Sequence, residues 1–274
     1  MKHIKIISAI TLTTLMSGCV VIASSPSRAD FHMQKELSID ASELTALDIE
    51  TGSGSLSVIG NAELTEIRVT ADIYTDKKYT DNYELTLNKS GNSGYFVAKN
   101  HSTSGFWVGD SPHIDVVIQL PKSMSLTIDD GSGDIDVQNL NGQLDIKDGS
   151  GGLLVKDING DININDGSGE IDVSQITGNL KIIDGSGEIN IHEIKGNLNV
   201  DDGSGTIYAS NIDGSADFDD GSGDLTVKEI TGMVTIDDGS GSITVDNAGG
   251  LKILESGSGG LKVKNVKGGF NIDS

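Results

Sequence analysis

The residues best placed to do chemistry in this chain are aspartates that recur at a single spacing. Asp130, Asp148, Asp166, Asp184, Asp202, Asp220 and Asp238 each precede a Gly-Ser-Gly triplet, at steps of 18 residues, and Ser256 closes the column. Three successive copies carry acidic doublets, Asp201/Asp202, Asp219/Asp220 and Asp237/Asp238. Calcium takes six to eight oxygen ligands, and carboxylates from neighbouring copies can share one ion. These six residues are therefore candidate Ca2+ ligands, and Ca2+ is the one cofactor the residues suggest; none is required. The pattern departs from the calcium-binding nonapeptide GGxGxD, because the spacing is doubled and the aspartate comes before the glycine. The same aspartate also has a structural use. At a turn it can accept the backbone N–H groups that follow it, as an Asx turn. Both readings remain open in the sequence. Carboxylates about 4.8 Å apart, the spacing of adjacent strands, repel by about 1 kcal/mol in water and about 3.5 kcal/mol at an effective dielectric of 20. Either role must offset that repulsion.

No catalytic constellation accompanies the column. His3, His32, His101, His113 and His192 are scattered without metal-ligand spacing. The serine of the triplet is repeated in all eight copies, from Ser132 to Ser258, whereas a catalytic nucleophile would be unique. Asp136, Leu154, Asp172, Asn190, Tyr208 and Thr226 occupy one outward column. They do not form the threonine array an ice-binding face needs. A non-enzymatic protein is expected.

The elements that position the aspartates are legible from the repeat itself. Behind each triplet stand apolar columns: Ile135, Leu153, Ile171, Ile189, Ile207, Leu225, Ile243, Leu261, and two residues on Val137, Val155, Val173, Ile191, Ala209, Val227, Val245, Val263. A third column runs Leu140, Ile158, Ile176, Ile194, Ile212, Ile230, Ala248, Val266. A second glycine column, Gly142 through Gly160 to Gly268, precedes pairs such as Leu144/Ile146 and Leu198/Val200. Alternation at period two marks strands with one buried face. Each 18-residue unit thus holds two short strands and two glycine turns, and buries its apolar face only by stacking on copies of itself. The fold expected is all-β: a parallel β-solenoid of 18-residue, two-strand coils over residues 128–274, with an N-terminal β-rich cap.

Two irregularities test that reading. In one coil Ala209 and Ala216 are small where Phe218 is large, which conserves volume within a layer. Near "VDNAGGLKILES" the inward positions shift by one, to Leu251 and Ile253, while the next triplet stays on period. A residue lost before Gly249 and regained after Ile253 as a bulge accounts for it.

Upstream, "LDIETGSGSLSVIGN" (residues 47–61) is another copy of the unit. Residues 37–127 read as a β-rich cap holding this first coil and a hairpin around "KSGNSG", where Gly and Asn permit the turn. The aromatic stretch "SGYFVAKNHSTSGFWVGDSP" includes Phe106 and the single tryptophan, Trp107. These two either plug an open solenoid end or form a partner-binding tip. At the other end "GGFNIDS" reads as a half coil with an unpaired edge. End-to-end self-association is an alternative this raises, as a self-assembling envelope filament protein.

The net charge of −22 repels phosphate backbones and anionic lipid surfaces, which argues against nucleic acid as a partner. The partner expected is an unidentified protein or glycan. The single cysteine, Cys19, excludes an intramolecular disulfide. It follows a basic start, "MKHIK", and the apolar run "IISAITLTTLM", the layout of a secretion signal. Residues 1–18 therefore read as a signal peptide and 19–36 as a polar tether.

"LMSGC" resembles the lipobox of bacterial lipoproteins, which implies lipidation at Cys19, a membrane anchor and, with Val20 following, sorting to the outer membrane. Cleavage after Ala29, with periplasmic or secreted export, is the alternative. The combination "ALDIETGSGSLSVIG", "IDVVIQLPKSMSLTIDDGSGDIDV" and the repeated "GxLxIxDGSGxIxV" resembles the DUF4097 adhesin-like family from about residue 40 onward. That resemblance implies an exported β-solenoid with a structural or adhesin-like role and no catalytic or ligand residues to carry over.

Overall fold

The computed structural model describes residues 29–78, 80–101 and 111–272. All of its regular structure is strand. In chain order the first nine are β1 (Phe31–Asp40), β2 (Ala46–Thr51), β3 (Leu56–Asn61), β4 (Glu66–Thr75), β5 (Tyr83–Ser90), β6 (Ser93–Asn100), β7 (His113–Pro121), β8 (Ser125–Asp129) and β9 (Ile135–Leu140). Then follow β10 (Leu144–Asp148), β11 (Leu153–Asn159), β12 (Ile162–Asp166), β13 (Gly169–Thr177), β14 (Leu180–Asp184), β15 (Gly187–Lys195), β16 (Leu198–Asp202), β17 (Gly205–Ile212) and β18 (Ala216–Asp220). The last four are β19 (Gly223–Asp238), β20 (Ile243–Ser256), β21 (Leu261–Val266) and β22 (Phe270–Ile272).

The repeat builds a two-faced parallel solenoid. On one face β8, β10, β12, β14, β16 and β18 pair in succession, and on the other β9, β11, β13, β15 and β17. β19 and β20 are long enough to cross the corner and serve both faces. Residues 18 apart are partners, so Leu144 lies beside Ile162 and Val155 beside Val173. The apolar columns read from the sequence are buried, from Leu153 and Val155 to Leu251 and Ile253, until the last coil, where Leu261 is exposed. Ala209, Ala216 and Phe218 are all buried in one layer. The expected bulge is present as well. Partners run Ile230–Ala248, then Met233–Gly250 and Ile236–Ile253, then return to Asp237–Glu255. Leu254 is the extra residue and turns out to solvent.

The cap extends both faces. The first coil, β2–β3, stacks directly on β8–β9, with Ser53 bridging to Ser132 at the turn. On its other side lie β6 and β7, parallel to it. Antiparallel strands then finish each face, β5 against β6 and β4 then β1 against β7. The β5–β6 loop is Gly91-Asn92. Of these two only Gly91 has positive φ (61°), the position a II′ loop reserves for glycine. One boundary is corrected. Residues 31–36, read from sequence as tether, belong to β1 and pair with β4. Alternation there is masked by charge, because β1 is an edge strand with mostly exposed side chains.

Two corners make an 18-residue coil possible. At the triplet the second glycine has positive φ, as in Gly205 at 156°, and a Cβ there would lie 1.7 Å from the carbonyl oxygen of Gly187 one rung away. Backbone therefore rests on backbone at this corner, which a side chain would prevent. The other corner is unusual. Asn139, Asp157, Gln175, Glu193, Asn211, Glu229, Asn247 and Asn265 all have positive φ, between 54° and 68°. Left-handed backbone costs an L-residue about 1–2 kcal/mol, least for Asn and Asp. These residues turn the chain so that the third apolar column, Leu140 and its partners, faces inward.

Gln175→Gly is expected to leave the protein as stable or raise stability by up to about 1 kcal/mol, and Gln175→Val to lower it by about 1–2 kcal/mol. Gly205→Ala is expected to be worse than either, at roughly 3 kcal/mol, since a carbonyl of the next rung must move. Chemical denaturation of the three variants would measure this order, and a destabilising Gln175→Gly would contradict the corner's proposed geometry.

Candidate functional site

From Asp148 to Asp238 the aspartate of each repeat is the last residue of its strand, Asp130 follows directly on β8, and all fall on the inward parity. Leu198, Val200 and Asp202 point in, Asn199 and Asp201 out, so the carboxyl of Asp202 enters the core at the corner. Asp148, Asp166, Asp184, Asp202, Asp220 and Asp238 are successive register partners, one per rung. With Asp130 they form a single internal column, each residue no more than 5% exposed.

What holds each carboxyl is the turn that follows. Oδ1 of Asp148, Asp166, Asp184 and Asp202 accepts the amide N–H of Ser150, Ser168, Ser186 and Ser204 at 3.1–3.3 Å. This is the Asx geometry expected from sequence. At the first triplet Ser132 Oγ also donates to the carbonyl of Gly52 (3.4 Å). Burial pushes the carboxyl pKa of all seven aspartates up, opposed by the turn amides. Asp148, Asp184 and Asp220 are raised to about 6, first by desolvation and then by the negative charge of neighbouring rungs.

The doublets do not converge. Asp201, Asp219 and Asp237 lie on the outer face of the sheet, while Asp202, Asp220 and Asp238 lie inside. Adjacent residues of a strand point to opposite faces, so the backbone separates the two columns. Among the described residues no group of three or more His, Cys, Asp or Glu side chains is arranged to hold a metal ion. Cys19, Phe106 and Trp107 lie outside the described residues. Of the aromatics nearby, Phe96 is buried in the cap core and Tyr95 is exposed. At the far end Leu261, Phe270 and Ile272 are exposed on β21 and β22.

One cluster is absent from the sequence reading. On the outer face of the cap, His32, Tyr74 and His113 of β1, β4 and β7 are cross-strand neighbours and stack, with ring centroids 4.7 and 4.5 Å apart. Asp72 pairs with His32 Nε2 (2.7 Å) and accepts from Gln34 Nε2 (3.1 Å). Beside it Asp115 accepts from the backbone N–H and the hydroxyl of Ser55, at 2.8 and 2.9 Å. Partners on different strands are 38 or more positions apart, as with Gln34 and Asp72. Only antiparallel register brings them together. The one sequence signal was a His or Tyr at an outward position of three separate strands.

A second surface feature repeats with the rungs. The side chain of one turn residue accepts the backbone N–H of the next: Asp161 from Asn179, Asn179 from Asn197, Asn197 from Ser215, at 2.8–3.0 Å. The outer face near it includes an open groove of about 440 Å³ lined by Asp145, Lys147, Asn163, Asn165, Lys181 and Ile183, among others.

The family model described as Toastrack DUF4097 matches residues 60–273. A search of curated proteins finds no match. Crystal structures of similar shape include a candidate adhesin from Parabacteroides distasonis ATCC 8503, at 11% identity and TM-score 0.48, covering 91% of this chain and 100% of that one. A candidate lipid-binding protein from the same strain is 13% identical with TM-score 0.46, covering 88% and 97%. A candidate cell adhesion protein from Clostridium sporogenes ATCC 15579 is 14% identical with TM-score 0.39, covering 85% and 99%.

Neutralising the outer acids by Asp201→Asn, Asp219→Asn and Asp237→Asn together is expected to leave the melting temperature unchanged or slightly higher, because like charges one rung apart are relieved. A clear loss of stability in thermal unfolding would show that the outer column has a structural partner.

Proposed function

Because the chain belongs to the Toastrack DUF4097 family, we propose that it is a non-enzymatic interaction module of the cell envelope, a rigid acidic rod presented from a membrane by lipid on Cys19. The observation that carries this reading is the continuity of the rod. Each face counts a dozen strands from cap to final coil, which at about 4.8 Å per strand is roughly 50 Å of stiff surface. Outward side chains sit on a fixed lattice of rungs. Such a surface suits contact with an extended or repetitive partner, a protein or a glycan. The strongly negative charge directs it toward cationic or neutral partners.

The lipid anchor follows from the "LMSGC" segment ahead of the described residues, and Val20 beside Cys19 favours the outer membrane as its destination. No helix among the described residues is long and apolar enough to cross a membrane. Phe106 and Trp107 fall in the sequence between β6 and β7, and β7 begins at His113 of the His32–Tyr74–His113 stack. The segment between the two strands is the recognition tip in this reading.

Labelling cells with radioactive palmitate tests the anchor. The protein should take up label, and Cys19→Ser should lose it and move to the soluble fraction. A mature N-terminus at Asp30, found by mass spectrometry, would replace lipidation with cleavage after Ala29. For the tip, beads coated with the protein are screened against panels of purified matrix proteins and glycans. Phe106→Ala with Trp107→Ala should weaken the strongest binding at least about ten-fold, as loss of aromatic anchors does. Binding unchanged by that pair would remove the loop from the interface.

A further inference from the structure

The internal aspartate column holds charge that nothing described around it balances. The other buried polar residues are Thr51, Thr75 and Ser210, so among the described residues no lysine, arginine or histidine is buried with it. The charged groups that act on it from the strands and turns around are acids too: Asp201, Asp219, Asp224, Asp237 and Glu255. Each of the seven has a buried carboxyl oxygen without a hydrogen-bond donor. In Asp148, Asp166, Asp184 and Asp202 it is Oδ2, and in Asp130, Asp220 and Asp238 the turn amides likewise leave an oxygen over. A buried carboxylate oxygen lacking a donor is among the more costly features a core can contain.

The two ends of the column differ from its middle in one respect. Glu50 is the register partner of Asp129, which puts Thr51 beside Asp130, and Asp238 is the partner of Ser256. A hydroxyl therefore stands at each end, and that of Thr51 is buried beside Asp130 and lowers its pKa against the effect of burial. Hydroxyls can donate to the terminal carboxylates. Between them, the groups that could supply a donor are the carboxyls themselves, once protonated.

A bound cation is the competing way to balance the charge. Calcium would need six or more oxygens about 2.3–2.6 Å away. The inner column supplies one side chain per rung, and its outer companions lie across the backbone. A proton needs only one acceptor on the next rung. Burial and neighbouring charge favour protonation most strongly at Asp148, Asp184 and Asp220, which are alternate members of the column.

We propose that the column is a proton-binding ladder, in which Asp148, Asp184 and Asp220 each take a proton from solvent and donate it to the carboxylate of an adjacent rung. Asp130, Asp166, Asp202 and Asp238 then remain as anions, none beside another, with Thr51 and Ser256 donating at the ends. Each uptake makes one O–H bond and breaks none in the protein. The consequence is a rod that tightens in mild acid. A carboxyl whose folded pKa lies above its unfolded value binds more protons in the folded state, so these groups contribute most below about pH 4 and lose that contribution as pH rises through about 6. This is the reverse of a salt-bridged carboxylate. The ladder is a property of the scaffold and stands whichever partner the surface binds.

Thermal unfolding of the full chain in EDTA, from about pH 7.5 down to about pH 5, tests it. The melting temperature should rise by several degrees on acidification. In Asp148→Asn/Asp184→Asn/Asp220→Asn the amides imitate the protonated groups. That variant should already melt at the higher temperature at neutral pH and lose the pH slope. The outer triple variant should keep the slope. A wild-type melting temperature that is flat or falls on acidification would overturn the ladder, as would selective stabilisation by millimolar Ca2+ that the inner triple variant abolishes. Should that variant not fold, carboxyl-carbon NMR of aspartate-labelled wild type decides. Midpoints near 6 are expected for part of the column, and midpoints all near the free-aspartate value of about 3.9 would overturn it.

Discussion

Everything in this protein follows from one constraint: each coil must lie on a near-identical coil in parallel register. A strand pair with five or so residues per strand cannot bury an apolar face alone, and here the partner for each side chain is its own equivalent one rung away. Aliphatic columns satisfy that rule readily, since Ile189 on Ile171 or Ile191 on Val173 packs at any length. Corners satisfy it only with special residues. Glycines at the triplet let carbonyl and amide groups of neighbouring rungs meet, as Gly169 N–H does with the carbonyl of Ser186 at 3.1 Å. Polar residues such as Asn211 accept positive φ at the other corner.

The same constraint turns a harmless local choice into a collective problem. One aspartate capping one turn is ordinary. Repeating it in register places like charges on like, inside the coil, where the GSG corner shields them from water. The turn amides offset part of the penalty and raised pKa values express the remainder. Asp201, Asp219 and Asp237, one residue away, lie on the outer face, where solvent screens their charge. The stacking that gives the rod its stiffness thus also couples its stability to protons.

At the cap the repeat rule is relaxed, and different chemistry collects there. β1, β4, β5, β6 and β7 use antiparallel pairing to end the solenoid, so neighbours no longer come from equivalent positions. That is what allows a mixed set, His32, Tyr74, His113, Asp72 and Asp115, to share one patch. Loops that leave such a rigid end are natural places for recognition.

The period of 18, the inward columns, the compensation of Ala209 and Ala216 by Phe218 and the bulge near Leu254 were all readable in the sequence, because in a solenoid sequence distance and spatial neighbourhood are the same thing. The capping role of the aspartates was one of two readings the sequence left open, and the Asx contacts of the structure support it. The left-handed corner was visible only as a column of Asn, Asp, Gln and Glu, types whose meaning depends on a φ that no periodicity reports. The sidedness of the acidic doublets follows the parity set by Leu198 and Val200, but that the corner carboxyl is shut away from water depends on the stacking of neighbouring turns. Only the tertiary structure decided that Asp202 is buried and Asp201 is not, that β1 is paired instead of trailing as a tether, and that two histidines flank Tyr74. Those facts rest on long-range register and on the interior's exclusion of water, neither of which is local.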